Sequence, residues 1–114
     1  MPPWRTPEAG AEFTVKFLRL GNEVFVGNSM QDGHALIAEM DGIEQDLDRA
    51  RVQDNLSVDG GLVGVKGGDI YIGGHSNSLQ LPVLGKEKAA REVTLGVFSE
   101  QNPDHQIIEC NNPH

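Results

Sequence analysis

Apolar and polar residues alternate at the start of Phe13-Thr14-Val15-Lys16-Phe17-Leu18-Arg19-Leu20, the period of two that half-buries a strand. Gly21-Asn22 interrupts it, and Glu23-Val24-Phe25-Val26 resumes a β-favouring composition. Two such runs around a Gly-Asn pair predict a hairpin, because both loop residues tolerate positive φ. The period then changes. Leu36, Met40, Ile43, Leu47 and Ala50 recur at steps of four, three, four and three, which places them on one face of a helix. Ser29-Met30-Gln31-Asp32 has a form close to a capping box just before that stripe. The reading is one long helix over residues 30–53, weakened by Gly33 and Gly42, with an acidic solvated face.

Beyond it the chain is glycine-studded and β-rich. Leu56, Val58, Leu62, Val63 and Val65 lead into Lys66-Gly67-Gly68-Asp69, a turn, and Ile70-Tyr71-Ile72 restarts a strand. Leu79-Gln80-Leu81-Pro82-Val83-Leu84 alternates again, but Pro82 restricts it to an edge strand or a loop. Residues 86–101 read as a second helix with Ala90, Val93, Val97 and Phe98 inward. Asn102-Pro103-Asp104 stops it, and residues 106–110 close the domain as a strand. The order β-β-α-β-β-(β)-α-β predicts an α+β single domain over residues 12–110, a mixed or antiparallel sheet packed by two helices. A flexible arm is expected over residues 1–11, with Trp4 as its one anchor, and a short tail over residues 111–114.

Composition narrows the classes. The 114 residues carry 17 Asp and Glu against nine Lys and Arg, a formal charge of −8. That field repels phosphate backbones, and aromatic residues are only 5%, too few for a base-stacking platform. Nucleic-acid binding is therefore not expected. No apolar run reaches the roughly 20 residues of a membrane span, and Met1-Pro2-Pro3-Trp4-Arg5 lacks the apolar core of a secretory leader. One cysteine, Cys110, makes no internal disulfide and reads as a half-buried strand residue in a reducing compartment. The expectations are a cytoplasmic protein, no membrane, no cofactor, and a protein partner.

Candidate chemistry concentrates in two glycine-rich segments. Gly60-Gly61-Leu62-Val63-Gly64-Val65-Lys66-Gly67-Gly68 fails both phosphate-loop tests, since no helix follows and the flanks are strands. Its glycines read as turns and close strand approaches. Gly74, His75, Ser76, Asn77 and Ser78 form the second segment, leaving a strand with an imidazole, two hydroxyls and several backbone N–H groups. Successive N–H dipoles can wrap a small anion without net positive charge; the plain alternative is a polar turn. His34, His75, His105 and His114 show no metal-binding spacing, so no metal is expected.

In their order, these segments resemble the Janus/ocnus family, whose best-known members are the small phosphohistidine phosphatases. Phe13 to Leu20 looks like the family's first strand. Val26-Gly27 followed by His34-Ala35-Leu36-Ile37 resembles its strand ending in glycine and its His-Ala-x-Ile helix. Asp59-Gly60-Gly61 resembles its glycine turn, Gly73-Gly74-His75-Ser76 its strand end, and Pro103-Asp104-His105-Gln106-Ile107 its last connection. The resemblance implies a histidine base shortly after the glycine turn, a position that falls on Val65. It implies an arginine where Leu62 stands, and a strand-one lysine where Thr14 stands, with Lys16 on the same face as a substitute. Lys16 and Val65 are thus candidate pocket residues. Valine cannot titrate, so the expectation is a non-catalytic Janus-like binding or assembly module with a residual phosphate pocket at residues 74–78. The alternatives are a divergent protein-histidine phosphatase using His75 and an acidic inhibitor or nucleic-acid mimic.

Overall fold

The structure is a computed structural model, which describes residues 3–6 and 10–113. Eight elements follow one another: β1 (Phe13–Leu20), β2 (Glu23–Val26), α1 (His34–Met40), α2 (Glu44–Gln53), β3 (Val58–Lys66), β4 (Asp69–Gly73), α3 (Glu87–Gln101) and β5 (Ile107–Glu109). The strands make one mixed sheet in the order β2-β1-β3-β4-β5. Its first four strands pair antiparallel, while β5 runs parallel to β4 after the α3 crossover. The α+β reading holds, with three helices instead of two.

Alternation along the strands divides the core between two faces. Phe17, Val63 and Ile72 pack with Val97 and Phe98 of α3. Leu18 and Val58 pack with Ile37, Ala38 and Leu47 of α1 and α2. Both tight turns are where the sequence placed them. Gly21 has φ +62° between Leu20 and Glu23, and Gly67 and Gly68 both take positive φ between Lys66 and Asp69. A mirror-image turn of this kind matches the twist of the strands it joins.

The long helix over residues 30–53 is two helices, and the reason is local. Gly42 takes φ +67° between them, a left-handed conformation that ends α1. The chain turns there, so only the later half of the apolar stripe faces inward. Ile43 and Leu47 are buried, whereas Leu36 is exposed and Met40 is 65% exposed. The Ser29–Asp32 segment caps nothing: Asp32 Oδ2 accepts from Asn28 N at 2.9 Å and Ser29 Oγ from Gln31 N at 3.2 Å, closing a turn before α1 begins. The run over residues 79–84 is a loop with a single bridge between Ser76 and Leu81. In α3, Val93 points outward and Arg91 and Thr94 are buried instead.

Trp4 is fastened as the sequence suggested. Its ring meets Phe98 edge-on at 5.4 Å, its N–H donates to Gln101 Oε1 at 2.9 Å, and Thr6 N–H donates to Asn102 Oδ1 at 3.0 Å. Residues 1, 2 and 7–9 of the expected arm lie outside the described residues, as does His114 of the tail. No helix among the described residues is long and apolar enough to cross a membrane.

Candidate functional site

Asp59-Gly60-Gly61, expected as a turn, is paired strand within β3, and both helical layers reach the sheet there. Asp59, Gly60 and Gly61 stand opposite Arg19, Leu18 and Phe17 of β1. A Cβ on Gly60 would lie 3.1 Å from that of Ser76, and one on Gly61 would collide with the Gly73 carbonyl and lie 3.0 Å from Arg91 Nη2. Glycine is needed at both positions because the chain leaving β4 and the Arg91 side chain occupy that space.

From α3, Arg91 enters this space. Its Nε donates to Asp59 Oδ2 at 2.8 Å, and its Nη2 donates to Asp59 Oδ1 at 3.2 Å, Gly60 O at 3.3 Å and Gly74 O at 2.8 Å. Asp59 also accepts from Gly60 N at 2.7 Å and from the Thr94 hydroxyl at 2.6 Å. Arg19 is fully buried and donates to Thr94 Oγ1 at 2.7 Å and to the carbonyls of Gly21, Leu56 and Ala90. Burial lowers the Arg19 pKa, and the Asp59 carboxylate opposes that shift. One buried carboxylate therefore serves two guanidiniums, with every carboxylate oxygen bonded.

From the opposite layer comes an imidazole. His34, the first residue of α1, is 5% exposed, and its Nε2 lies 2.9 Å from Gly61 O. A carbonyl only accepts, so Nε2 carries the proton in this bond, and the Phe17 backbone is a second hydrogen-bond partner of the ring. Burial pushes the His34 pKa below 6.5; the Gly61 bond opposes this, and the charge of Lys16 adds to it. The neutral ring is thus its resting state at pH 7.

The loop after β4 spends part of its polar capacity on itself. Gly74 N–H donates to Asn111 O at 3.2 Å and Ser76 N–H to Leu81 O at 2.7 Å. Ser76 is buried and its hydroxyl accepts from Leu79 N at 3.2 Å. His75, Asn77 and Ser78 are exposed. A cleft of about 970 Å³ opens between this loop and the start of α3. Gly74, His75, Ser76 and Asn77 form one wall. Arg51, Lys88, Arg91 and Glu87 reach it from the helices, Glu109 reaches it from β5, and residues 81–84 add an apolar side.

The other expected pocket residues lie elsewhere. Val65 is buried in the layer under α3 and borders a second cleft with Tyr71 and Cys110. Lys16 pairs with Leu62 and Val65 with Phe13, so the two side chains leave opposite faces of the sheet. They do not share a pocket. Hydrophobic periodicity does not mark Arg91, Thr94 and Asp59, because an apolar pattern leaves polar residues on the outward face. One signal was present: Arg91 and Thr94 recur with Ala90, Val97 and Phe98 at helical spacing.

Cys110 is a half-buried free thiol just past β5. Among the described residues, no three His, Cys, Asp or Glu side chains are grouped to hold a metal ion. No family model, curated protein or solved structure matches the chain.

Proposed function

We propose that the chain is a non-catalytic, Janus-like binding module that takes a phosphate-class anion in the cleft between the loop of residues 74–78 and α3. The Janus likeness rests on the order of short motifs along the chain. The anion reading is supported by the placement of Arg51, Lys88 and Arg91 on one cleft of a chain with a formal charge of −8. Asp59 partners Arg91 and Asp48 stands 4.0 Å from Arg51, so the charge at this cleft is close to balanced on a molecule that is acidic elsewhere. Arg91 is held in place by Asp59 and two carbonyls, so little side-chain entropy is lost when it meets an anion. The test is titration with inorganic phosphate at low salt, followed by amide chemical shifts. Binding near the millimolar range (about 4 kcal/mol) is expected, centred on residues 74–77 and 88–91 and weakened several-fold by Lys88→Gln. No shifts at millimolar phosphate would reject the reading.

Hydrolysis is a second reading, and one observation favours it. The expected lack of an imidazole rested on Val65, yet His34 brings a ring that burial keeps neutral to the Gly60-Gly61 segment of β3. That is the protonation state a general base needs. His34 is thus a second candidate for this role beside His75, which lines the cleft itself. Turnover of a phosphohistidine peptide that is lost in His34→Gln and kept in His75→Gln would establish it; no turnover by the unsubstituted protein would leave the binding module.

A further inference from the structure

One groove of the molecule has its occupant in place, and the occupant is a stretch of the same chain. Exposure alternates along residues 3–6: Pro3 and Arg5 are exposed, while Trp4 and Thr6 are half-buried. Trp4 packs on the core layer under α3, its ring edge-on to that of the fully buried Phe98. The polar contacts are as specific as the ring. Trp4 N–H donates to Gln101 Oε1 at 2.9 Å. Asn102, only 2% exposed, donates from Nδ2 to Trp4 O at 3.2 Å and accepts at Oδ1 from Thr6 N–H at 3.0 Å. The Thr6 hydroxyl lies 3.0 Å from Nε2 of His105, whose Nδ1 donates to Gly68 O at 2.7 Å.

These contacts converge on the last turn of α3 and the loop behind it. A segment held at one place by one ring and a few hydrogen bonds can leave at far lower cost than the whole fold. It leaves behind a slot beside Phe98 and an amide aimed at a peptide backbone. Such a buried amide requires partners. The sequence that fits the slot is Pro3-Trp4-Arg5-Thr6, and every copy of the chain carries it.

We propose that this slot is an arm-exchange site: residues 3–6 of a second copy occupy it in place of the chain's own, linking two copies. Exchange of an identical element preserves every contact, which makes it a low-cost route to assembly. The tethered arm competes at an effective concentration in the millimolar range, so exchange sets in at about millimolar chain. The inference is independent of the anion cleft, which Lys88 and Arg91 border near the other end of α3.

Trp4 is the chain's single tryptophan, so the full chain with Trp4→Ala has the arm's anchor removed and no tryptophan of its own. A synthetic peptide of residues 1–9 is expected to bind it with a blue-shifted emission. By calorimetry that binding should be about tenfold tighter than to the unsubstituted chain, whose own arm competes. A Thr6→Pro peptide lacks the N–H given to Asn102 and should bind several-fold more weakly, whereas an Arg5→Gln peptide should stay within about twofold. The whole chain then replaces the peptide. Isotope-labelled Trp4→Ala chain mixed with unlabelled unsubstituted chain should show amide shifts at residues 98–105, half-saturated at about 1 mM, and none when the donor carries Thr6→Pro. A second measurement does not depend on the variant's fold: excess peptide should move the fluorine resonance of a fluorotryptophan-labelled unsubstituted chain to its free-arm position. No peptide binding, an unmoved resonance, or binding that ignores Thr6→Pro but is lost with Arg5→Gln overturns the inference. Peptide binding without exchange between whole chains overturns the second copy as occupant.

Discussion

Arg19 and Asp59 face each other across the β1–β3 pair, and a hydroxyl from a third element, Thr94 of α3, lies between them. Arg19 Nε donates to Thr94 Oγ1 at 2.7 Å, and that hydroxyl donates to Asp59 Oδ2 at 2.6 Å. The link welds the helix to the sheet at the point where the sheet's own pairing places a cation opposite an anion. Arg91 completes it from one turn earlier in α3, through an ion pair whose side chains are 9% and 0% exposed. A buried charge is tolerated only when its bonding is complete. Here Gly60 of β3 supplies the missing pieces, through its N–H to Asp59 and its carbonyl to Arg91. The geometry that holds the fold therefore also sets the pose of Arg91 where it reaches the cleft.

Removing the hydroxyl while keeping the shape tests the link. Thr94→Val leaves Arg19 Nε and one Asp59 lone pair short of a partner, at a cost of about 1.5–3 kcal/mol for bonds to charged groups. The urea midpoint should fall with an unchanged slope. Asp59→Asn is more severe, because two buried guanidiniums then lack a counter-charge; about 3–5 kcal/mol is expected, a large share of a small domain's stability. If Thr94→Val were the more damaging of the two, the link would not be governed by charge.

His34 predicts how stability responds to acid. Its folded-state pKa lies below the ordinary 6.5, chiefly through burial. As pH falls, the unfolded chain takes up this proton before the native state does. The contribution of the neutral, bonded ring is therefore complete above pH 6.5, falls as pH drops through 6.5 toward the depressed value, and is lost below it. Each unit of depression corresponds to about 1.4 kcal/mol. Urea unfolding between pH 5 and 8 should show stability rising with pH. His34→Gln, whose amide can still donate to Gly61 O, should flatten that rise by one proton's worth. An equal rise in the variant would assign the dependence to other groups.

The strands were legible because their signals are local. Period-two alternation in residues 13–20 and the Gly21-Asn22 and Gly67-Gly68 pairs fix a hairpin whatever the rest of the chain does. The site was legible only in part. The loop of residues 74–77 does line a cleft, yet the cations opposite it come from α2 and α3, far apart in the chain. Arg91 and Thr94 read as surface residues because an apolar pattern has no place for a polar side chain whose partner, Asp59, is more than 30 residues away. The partner of His34 was not legible for the same reason: it is a carbonyl of β3 that only the tertiary fold brings to it. Periodicity records what is apolar. It does not record which polar groups will be bonded to one another inside.

Two helix-region glycines give opposite signs for the same substitution. Gly96 lies within α3 with nothing within 4 Å of an added Cβ, so Gly96→Ala removes unfolded-state freedom at no steric cost. It should raise stability by about 0.5–1 kcal/mol. Gly42 also has open space around it, but its φ of +67° is strained for any residue with a side chain. Gly42→Ala should therefore lower stability by about 1 kcal/mol. The contrast isolates backbone conformation, since neither methyl group touches a neighbour. Were residues 30–53 one unbroken helix, as the apolar stripe alone suggests, Gly42→Ala would instead stabilise the chain by about the same amount as Gly96→Ala. Thermal unfolding of the two variants beside the unsubstituted protein decides between the broken and the continuous helix by sign alone.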